Sequence, residues 1–462
     1  MTGADRRAAA ACPRLAARDS LYTPVQVVEL DLAAPDELRS PGGQGPARPG
    51  GRVLALVRLH GHPLGLVTTS GTQGHEAGLC RALVAAAHRE LAIPATETAT
   101  ETATGSAVET ATGPVTAPVT APAFPKTTAT SPAHPCRAGR AGACADPPLI
   151  SVIVATHDRA GPLRRCLDSV LRNGYPRFEV IVVDNAPSDD AAEHLVRERY
   201  RGRVRYLREP VAGLARAHNR ALTAAHGTIC AFTDDDTLAD PDWLAALAAG
   251  FAADPRIGCV TGLILPAELE TATQAALERL SGFGKGFAPL RWSLADPPPD
   301  PLFPFTAGRF GTGANMAFRT SALRGLGAFD RALGTGTPAR GGDDLLAFFQ
   351  VLAAGYTVAY RPEAVIWHHH RRTPEALPAQ AFGYGAGFGA FLAAALGAEP
   401  GMLPALLRRL PGGLRYAALR LRQRAGQAGG QAQGLGLLEL RGLAYGPVGY
   451  LRSRAQARRI GG

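Results

Sequence analysis

Ile229-Cys230-Ala231-Phe232-Thr233-Asp234-Asp235-Asp236 is a short apolar run that ends abruptly in three carboxylates. The run has the character of a strand buried on both faces. Three adjacent acids gain nothing from packing, and like charges so close repel strongly. They become reasonable together when a divalent cation sits between them and a second anion. Hard cations such as Mg²⁺ or Mn²⁺ prefer oxygen ligands, often one or two carboxylates plus substrate phosphates. The tip of a strand is also where open α/β sheets bind ligands. Taken alone, the triplet fits an acidic strand-to-helix loop, with Asp as a helix cap, equally well.

Working outward, Leu149–Thr156 is a nearly continuous apolar run followed by helical spacing over 160–173. A second such strand, Phe178–Asp184, precedes a helix at 189–200 and a short strand at 204–207. The spacing then predicts a helix over 213–226, directly before the strand that carries the triplet. Strands alternating with helices in this way imply βαβ units and a parallel sheet. The first strand ends in Thr156-His157-Asp158-Arg159 and the second in Asp184-Asn185-Ala186-Pro187-Ser188-Asp189. In a parallel sheet these tips share one edge with Asp234-Asp235-Asp236. One acidic tip is easily a helix cap; three on one edge favour a site.

The order of short motifs over residues 148–372 resembles that of the family 2 glycosyltransferases. The residues that carry the resemblance are Ser151–Arg159, Val182–Ala186 with Ser188-Asp189, Gly213–Leu222, Phe232–Asp236, Gly313–Met316, Gly342–Leu345 and Trp367–His370. The resemblance implies a GT-A fold, an α/β architecture with a mixed sheet flanked by helices. It places Thr156, Asp158 and Arg159 against the nucleotide base and ribose, and makes Asp184 an acceptor of hydrogen bonds from the base. Asn219 and Asn315 fall among the substrate-binding positions. Asp234 and Asp236 take the places of metal-binding acids, with Asp234 also near the donor. Asp343-Asp344 matches the family's acidic pair, usually Glu-Asp, and implies that Asp344 is the general base and that Asp343 is catalytic beside it. The pair also precedes a helical run at 345–354, where Asp suits an N-cap. His368-His369-His370 follows the strand Ala364–Trp367. Alternation puts His368 and His370 on one face; the resemblance makes either a further metal ligand, and local acids are the competing partners. The implied activity is metal-dependent (Mg²⁺ or Mn²⁺) and inverting. It transfers a sugar from a nucleotide-diphosphate donor to a hydroxyl of a glycan, lipid or small-molecule acceptor, in cell wall or polysaccharide biosynthesis. The rivals are an inactive nucleotide-sugar or glycan binding protein and a nucleotidyltransferase; the latter calls for a Gly-rich phosphate loop after the first strand, where this chain has Thr156–Arg159.

Outside that region, residues 1–94 read as a small accessory domain, with strands at 25–30 and 53–59 and a helix at 76–91. Residues 95–147 repeat Glu-Thr-Ala-Thr and Pro-Val-Thr-Ala; such sequence buries no core and reads as a disordered linker. Residues 148–375 form the catalytic domain and 376–462 a helical, basic extension. In that extension the apolar run 381–392 is too short to span a bilayer. Residues 402–424, broken at Pro411-Gly412-Gly413, form two short basic amphipathic helices, which fit either a peripheral contact with an anionic membrane or packing on the catalytic domain. Of the 49 basic side chains only Lys126 and Lys285 are lysine, and the net charge is +10. No nucleic-acid-reading motif accompanies that charge, which argues against a nucleic-acid partner. The 7 cysteines show no CxxC pair, so neither a zinc site nor a disulfide framework is expected. With no signal pattern and no long apolar window, the expected location is the cytoplasm, or the inner face of its membrane.

Overall fold

A computed structural model of the chain describes residues 24–93, 146–281, 283–404, 407–409, 411, 412 and 430–461. The linker reading of 95–147 therefore falls almost wholly outside the described residues, as does most of the basic stretch 402–424. The chain divides into two compact units, one comprising Met1–Gly142 with Glu268–Ala276, the other Ala143–Ala267 with Leu277–Gly462.

In the first unit, β1 (Gln26–Asp31), β2 (Leu38–Arg39), β3 (Gly51–Leu59) and β4 (His62–Gly71) form a sheet in the order β2-β1-β3-β4. Helix α1 (Glu76–Glu90) covers one face with Leu79, Cys80, Leu83, Ala86 and Ala87. Val57, Leu59 and Val67 from the sheet complete that core. The turn between β3 and β4 places Gly61 at φ 85°, a conformation glycine adopts without strain. His60 and His62, which flank it in sequence, thus belong to a hairpin. Val25 donates its N–H to Leu269 O at 2.9 Å, so the later segment Glu268–Ala276 is stitched to this sheet.

In the second unit, β5 (Ile150–Thr156), α2 (Ala160–Val170), β6 (Phe178–Asn185), α3 (Ala191–Arg199), β7 (Val204–Glu209), α4 (Leu214–Ala224) and β8 (Ile229–Asp234) alternate as the spacing implies. β5, β6, β7 and β8 are all parallel. Beyond β8 come β9 (Thr237–Ala239), α5 (Trp243–Ala252), β10 (Ile257–Pro266), α6 (Ala272–Ser281, whose residues up to Ala276 belong to the first unit), β11 (Leu290–Trp292), β12 (Met316–Arg319), α7 (Thr320–Gly325), α8 (Asp343–Ala353) and β13 (Thr357–His368). The sheet order is β11-β13-β10-β12-β8-β5-β6-β7, with β9 on β13. β12 runs antiparallel between β8 and β10, while β10 and β13 are parallel. The fold is thus the mixed α/β sheet flanked by helices that the GT-A expectation describes, not the purely parallel sheet that strand–helix alternation alone gives. β5, β8 and β10 are apolar along almost their whole length because helices cover both faces.

The chain ends in two long helices, α9 (Ala376–Ala398) and α10 (Gly430–Gly461). α9 corrects the expectation for 381–392. It has 23 residues, long and apolar enough by length and composition to cross a membrane, yet half of its most apolar window is buried inside the structure. It packs on α8 through Phe391 against Phe349 and on α10 through glycines. A Cβ on Gly385 would lie 1.8 Å from Glu439 O, and one on Gly446 would lie 2.5 Å from Ala390 N. Only glycine lets the two backbones approach so closely. Gly385→Val is expected to lower unfolding free energy by about 1–3 kcal/mol. Gly397→Val, where a Cβ meets nothing within 4 Å, should stay within about 1 kcal/mol of wild type, since only helix propensity changes; urea denaturation of both checks this.

Candidate active site

Thr156 ends β5 with its side chain buried, and its hydroxyl donates to Asp235 Oδ2 at 2.7 Å. Arg159, the residue before α2, forks between Asp235 Oδ1 at 2.6 Å and Asp236 Oδ2 at 2.9 Å. The middle acid of the triplet is therefore a buried anchor, fixed by a hydroxyl and a guanidinium. Burial still pushes its carboxyl up to about 6, with Arg159 pulling the other way. Burial likewise raises Asp234, helped by the charge of Asp236. For Asp236 burial acts upward, but the bonds to His368 and Arg159 overcome it and hold the carboxyl well below its usual range.

On the neighbouring tip, Asp158 has φ 54° and accepts the Ser188 N–H at 2.8 Å. Asp184 is 1% exposed. Its Oδ2 accepts the Tyr206 hydroxyl at 2.8 Å, and Oδ1 has no partner among the described residues. Burial raises the Asp184 carboxyl, with Tyr206 opposing. A buried carboxylate oxygen left without a donor is suited to receive an N–H from a bound ring.

Asp343 and Asp344 are the first residues of α8. The N-cap is Gly342, left-handed at φ 88°, and no side chain caps the helix, so neither aspartate serves as the N-cap. A Cβ at Gly342 would lie 2.4 Å from Gly387 O on α9, which leaves glycine the only residue that fits. Asp344 Oδ2 accepts the Gly313 N–H and Oδ1 the Leu345 N–H, each at 2.8 Å. Burial raises the Asp344 carboxyl, against the pull of those two donors. The next residue of that loop, Ala314, offers its carbonyl to Thr233 Oγ1 at 2.8 Å. Two hydrogen bonds thus link the strand of the triplet, through the loop Gly313-Ala314, to Asp344. The charges of Asp234 and Asp344 are close enough to act on one another. Asp343 turns away from Asp344's partners: it is 5% exposed, and its Oδ2 stands 3.8 Å from His218 Nδ1.

His368 Nε2 faces Asp236 Oδ1 at 3.4 Å. His370 shares the same face, with its ring 4.9 Å from that of His368, but its Nε2 meets Glu278 Oε2 at 2.6 Å. Of the two, His368 is the one beside the triplet. His369 departs on the other face and donates its backbone N–H to Asp236 O. Two other expected residues serve the scaffold. Asn219 exchanges both amide groups with the backbone of Phe329 at 2.7 and 2.9 Å. Asn315 is fully buried; it accepts from Trp243 Nε1 and donates to Leu263 O and Ala364 O. Asn315 has no N–H left to offer a substrate, whereas half-buried Asn219 spends one N–H and one lone pair on Phe329 and keeps the others. His218, Tyr206 and Thr233 are site residues that sequence reasoning passed over. His218 and Thr233 lie inside the quoted motifs, but nothing in the spacing shows that they face Asp343 and Ala314.

The donor set Asp234, Asp236 and His368 has the oxygen and imidazole chemistry that suits Mg²⁺ or Mn²⁺. Among the described residues no three His, Cys, Asp or Glu side chains converge closely enough to hold an ion as they stand. The geometry shows why: both oxygens of Asp236 already face Arg159 and His368.

The description of glycosyl transferase family 2 matches residues 151–327. Those residues are a family 2 glycosyltransferase domain. An uncharacterised protein of Mycobacterium tuberculosis is 38% identical over 112 residues, 24% of this chain and 34% of that protein. The pre-mycofactocin glycosyltransferase of the same species is 27% identical over 243 residues, 51% of this chain and 46% of that enzyme. The chain spans less than half the length of these curated relatives. A mannosyltransferase from Pyrobaculum calidifontis, solved with GDP-Man and Mn²⁺, covers 68% of this chain and 87% of its own at 22% identity, with a TM-score of 0.41.

His218 carries a pH signature. Burial pushes its imidazole down to about 3, while the unfolded chain binds that proton near pH 6.5. The unfolded state therefore holds more protons between those values, and stability falls as pH drops through that window. His218→Phe is expected to flatten the acid-side loss of melting temperature between pH 7 and 4.5, measured by calorimetry.

Proposed function

We propose that this chain is an enzyme of glycosyl transfer, moving a sugar from a nucleotide-diphosphate donor to a hydroxyl by direct, inverting displacement. The observation that carries the reading is the joining of two acidic centres: the triplet on β8 and Asp344 on α8, linked through Thr233, Ala314 and Gly313. Each does a different task. Asp344, ionised and held by two backbone donors, accepts the proton of the attacking hydroxyl. Asp184 and Asp158, on the β6 side, take the base and ribose, the orphaned Asp184 Oδ1 receiving a base N–H. Thr156 and Arg159 act on the donor through the acids they hold. Asp234, Asp236 and His368 would hold the divalent cation, with His370 supporting from behind through Glu278. When bound, the cation supplies Lewis-acid stabilisation of the departing diphosphate. Arg159, which now holds Asp236, would be the residue to meet a phosphate oxygen of the donor, a partner that its planar fork suits.

An inactive binding protein would be expected to lack the acids of one centre; both sets stand here at one edge of the sheet. Release of nucleoside diphosphate from a panel of nucleotide sugars is expected to need Mn²⁺ or Mg²⁺ and to stop with EDTA. A donor that binds raises the melting temperature through mass action, which identifies the nucleotide before the acceptor is known. Asp344→Asn should cut turnover by about 10²–10⁴-fold, the usual contribution of a general base; unchanged turnover overturns the assignment.

The basic stretch 402–424 is the proposed point of contact with an anionic membrane. Leu403 and Leu407 are 44% and 58% exposed there, beside Arg408. Flotation with phosphatidylglycerol vesicles is expected for the full chain and lost on deletion of 402–424; equal flotation of both sinks the contact.

A further inference from the structure

We propose that the outward face of α10 lies flat on an anionic phospholipid bilayer, as a second contact beside that of 402–424. This extends the membrane reading of that stretch and does not depend on the sugar-transfer reading.

The rotation of α10 about its own axis is fixed by its inner face. A Cβ on Gly442 would lie 2.2 Å from Phe382 O, and one on Gly449 would lie 2.8 Å from Pro338 O. Ser453 Oγ accepts the Ala339 N–H at 3.1 Å, and the Tyr450 hydroxyl donates to Asp330 Oδ2 at 2.8 Å. With roughly 3.6 residues per turn, the opposite face consists of positions 437, 441, 444, 448, 451, 452, 455 and 459. Every one of them is exposed.

That face combines two kinds of side chain. Leu437, Val448 and Leu451 are 52%, 46% and 64% exposed. Single exposed apolar residues are normal on any surface. Here they are concentrated: of the 7 large apolar residues exposed among the described residues, 5 follow residue 402 and 3 share this one face. Ala444 and Ala455 continue the apolar line, and Arg441, Arg452 and Arg459 are interleaved with it. α10 has five arginines and one acid, Glu439, whose carbonyl abuts Gly385 of α9.

A bilayer surface matches both kinds at once. The apolar side chains enter the acyl boundary, while arginine stems lie along it and their forks reach headgroup phosphates. Each arginine near an anionic surface adds about fivefold to partitioning. Other occupants match one kind only. A second copy would set arginines against arginines. The stretch 413–429 of this chain has Arg415, Arg420, Arg422 and Arg424 and no acid, so it repels the face as well. A nucleic acid would meet the arginines and leave the leucines in water. The line from Leu437 to Arg459 runs about 33 Å, long enough for one helix to set how the second unit stands on a membrane.

Full-length protein is floated with vesicles of phosphatidylglycerol and phosphatidylcholine in equal parts, and with phosphatidylcholine alone. Flotation with the anionic vesicles only is expected; equal flotation with both, or with neither, overturns the proposal. Leu437→Gln/Val448→Gln/Leu451→Gln alters exposed side chains alone, so it should melt with wild type and lose at least about tenfold in partitioning. Arg441→Gln/Arg452→Gln should lose about tenfold or more. Direct contact is read with Val448→Trp. The native Trp243, Trp292 and Trp367 are buried, so brominated phosphatidylglycerol should quench the variant and leave wild type unchanged. A variant that floats unquenched overturns the assigned face. A wild-type dimer in analytical ultracentrifugation that the triple variant dissolves gives the face to a second copy and also overturns the proposal. Should the triple variant melt lower, the arginine pair and Val448→Trp decide. Full flotation of both glutamine variants, with loss on deletion of 402–424, overturns this proposal and leaves the earlier contact standing. Loss in both glutamine variants with full flotation of the deletion sustains α10 and removes the earlier contact. Loss in all three sustains both surfaces, as expected where anchoring takes two signals.

Discussion

Carboxylates that share one edge of a sheet must be kept from driving each other apart, and the grip of Arg159 on Asp235 and Asp236 does most of this here. The guanidinium stands directly before α2 and reaches across to the tip of β8, tying two parallel strands at the point where their charges accumulate. Thr156 adds a neutral bond to the same middle acid. With Asp235 consumed in this way, it belongs to the scaffold, and Asp236 is shared between Arg159 and His368.

A second constraint reaches from the triplet to the opposite side of the cleft. Thr233 is one residue before Asp234, and its hydroxyl is bonded both to Thr237 and to Ala314 O. Gly313, next in that loop, holds Asp344. The distance between the triplet and Asp344 is therefore set by short bonds among buried groups, with no long flexible side chain between them; under the proposed reading, that fixed spacing is what positioning contributes to catalysis.

Much of this was legible in the sequence because the parallel strands are buried on both faces and show as unbroken apolar runs. The four strands and three helices from β5 to β8, the three polar tips and the acidic pair that begins α8 could all be placed by number. What failed to show was whatever depends on partners far apart in sequence. β12 is only Met316–Arg319, too short for a pattern, and its antiparallel insertion between β8 and β10 comes from packing alone. Asn219 and Asn315 have the polarity of ligand-binding residues, but their amides satisfy backbone groups 110 and 49–52 positions away. His218 lies in a motif quoted for its neighbours; nothing local reveals that Phe232 and Phe329 enclose it. The run 381–392 is short when read alone, whereas in α9 its glycines are part of the contact surface that lets α10 approach.

Gly342 gives that last feature a wider meaning. Its left-handed backbone starts α8, and the carbonyl of Gly387 fills the space where any side chain would go. The helix that presents the acidic pair is consequently seated on α9, and α9 is clamped in turn by α10. A helix pair that could be mistaken for an appendage is the footing of the helix that presents Asp343 and Asp344. Trimming the protein back to the residues before α9 would leave every acid of the candidate site in the polypeptide and remove the ground on which two of them stand.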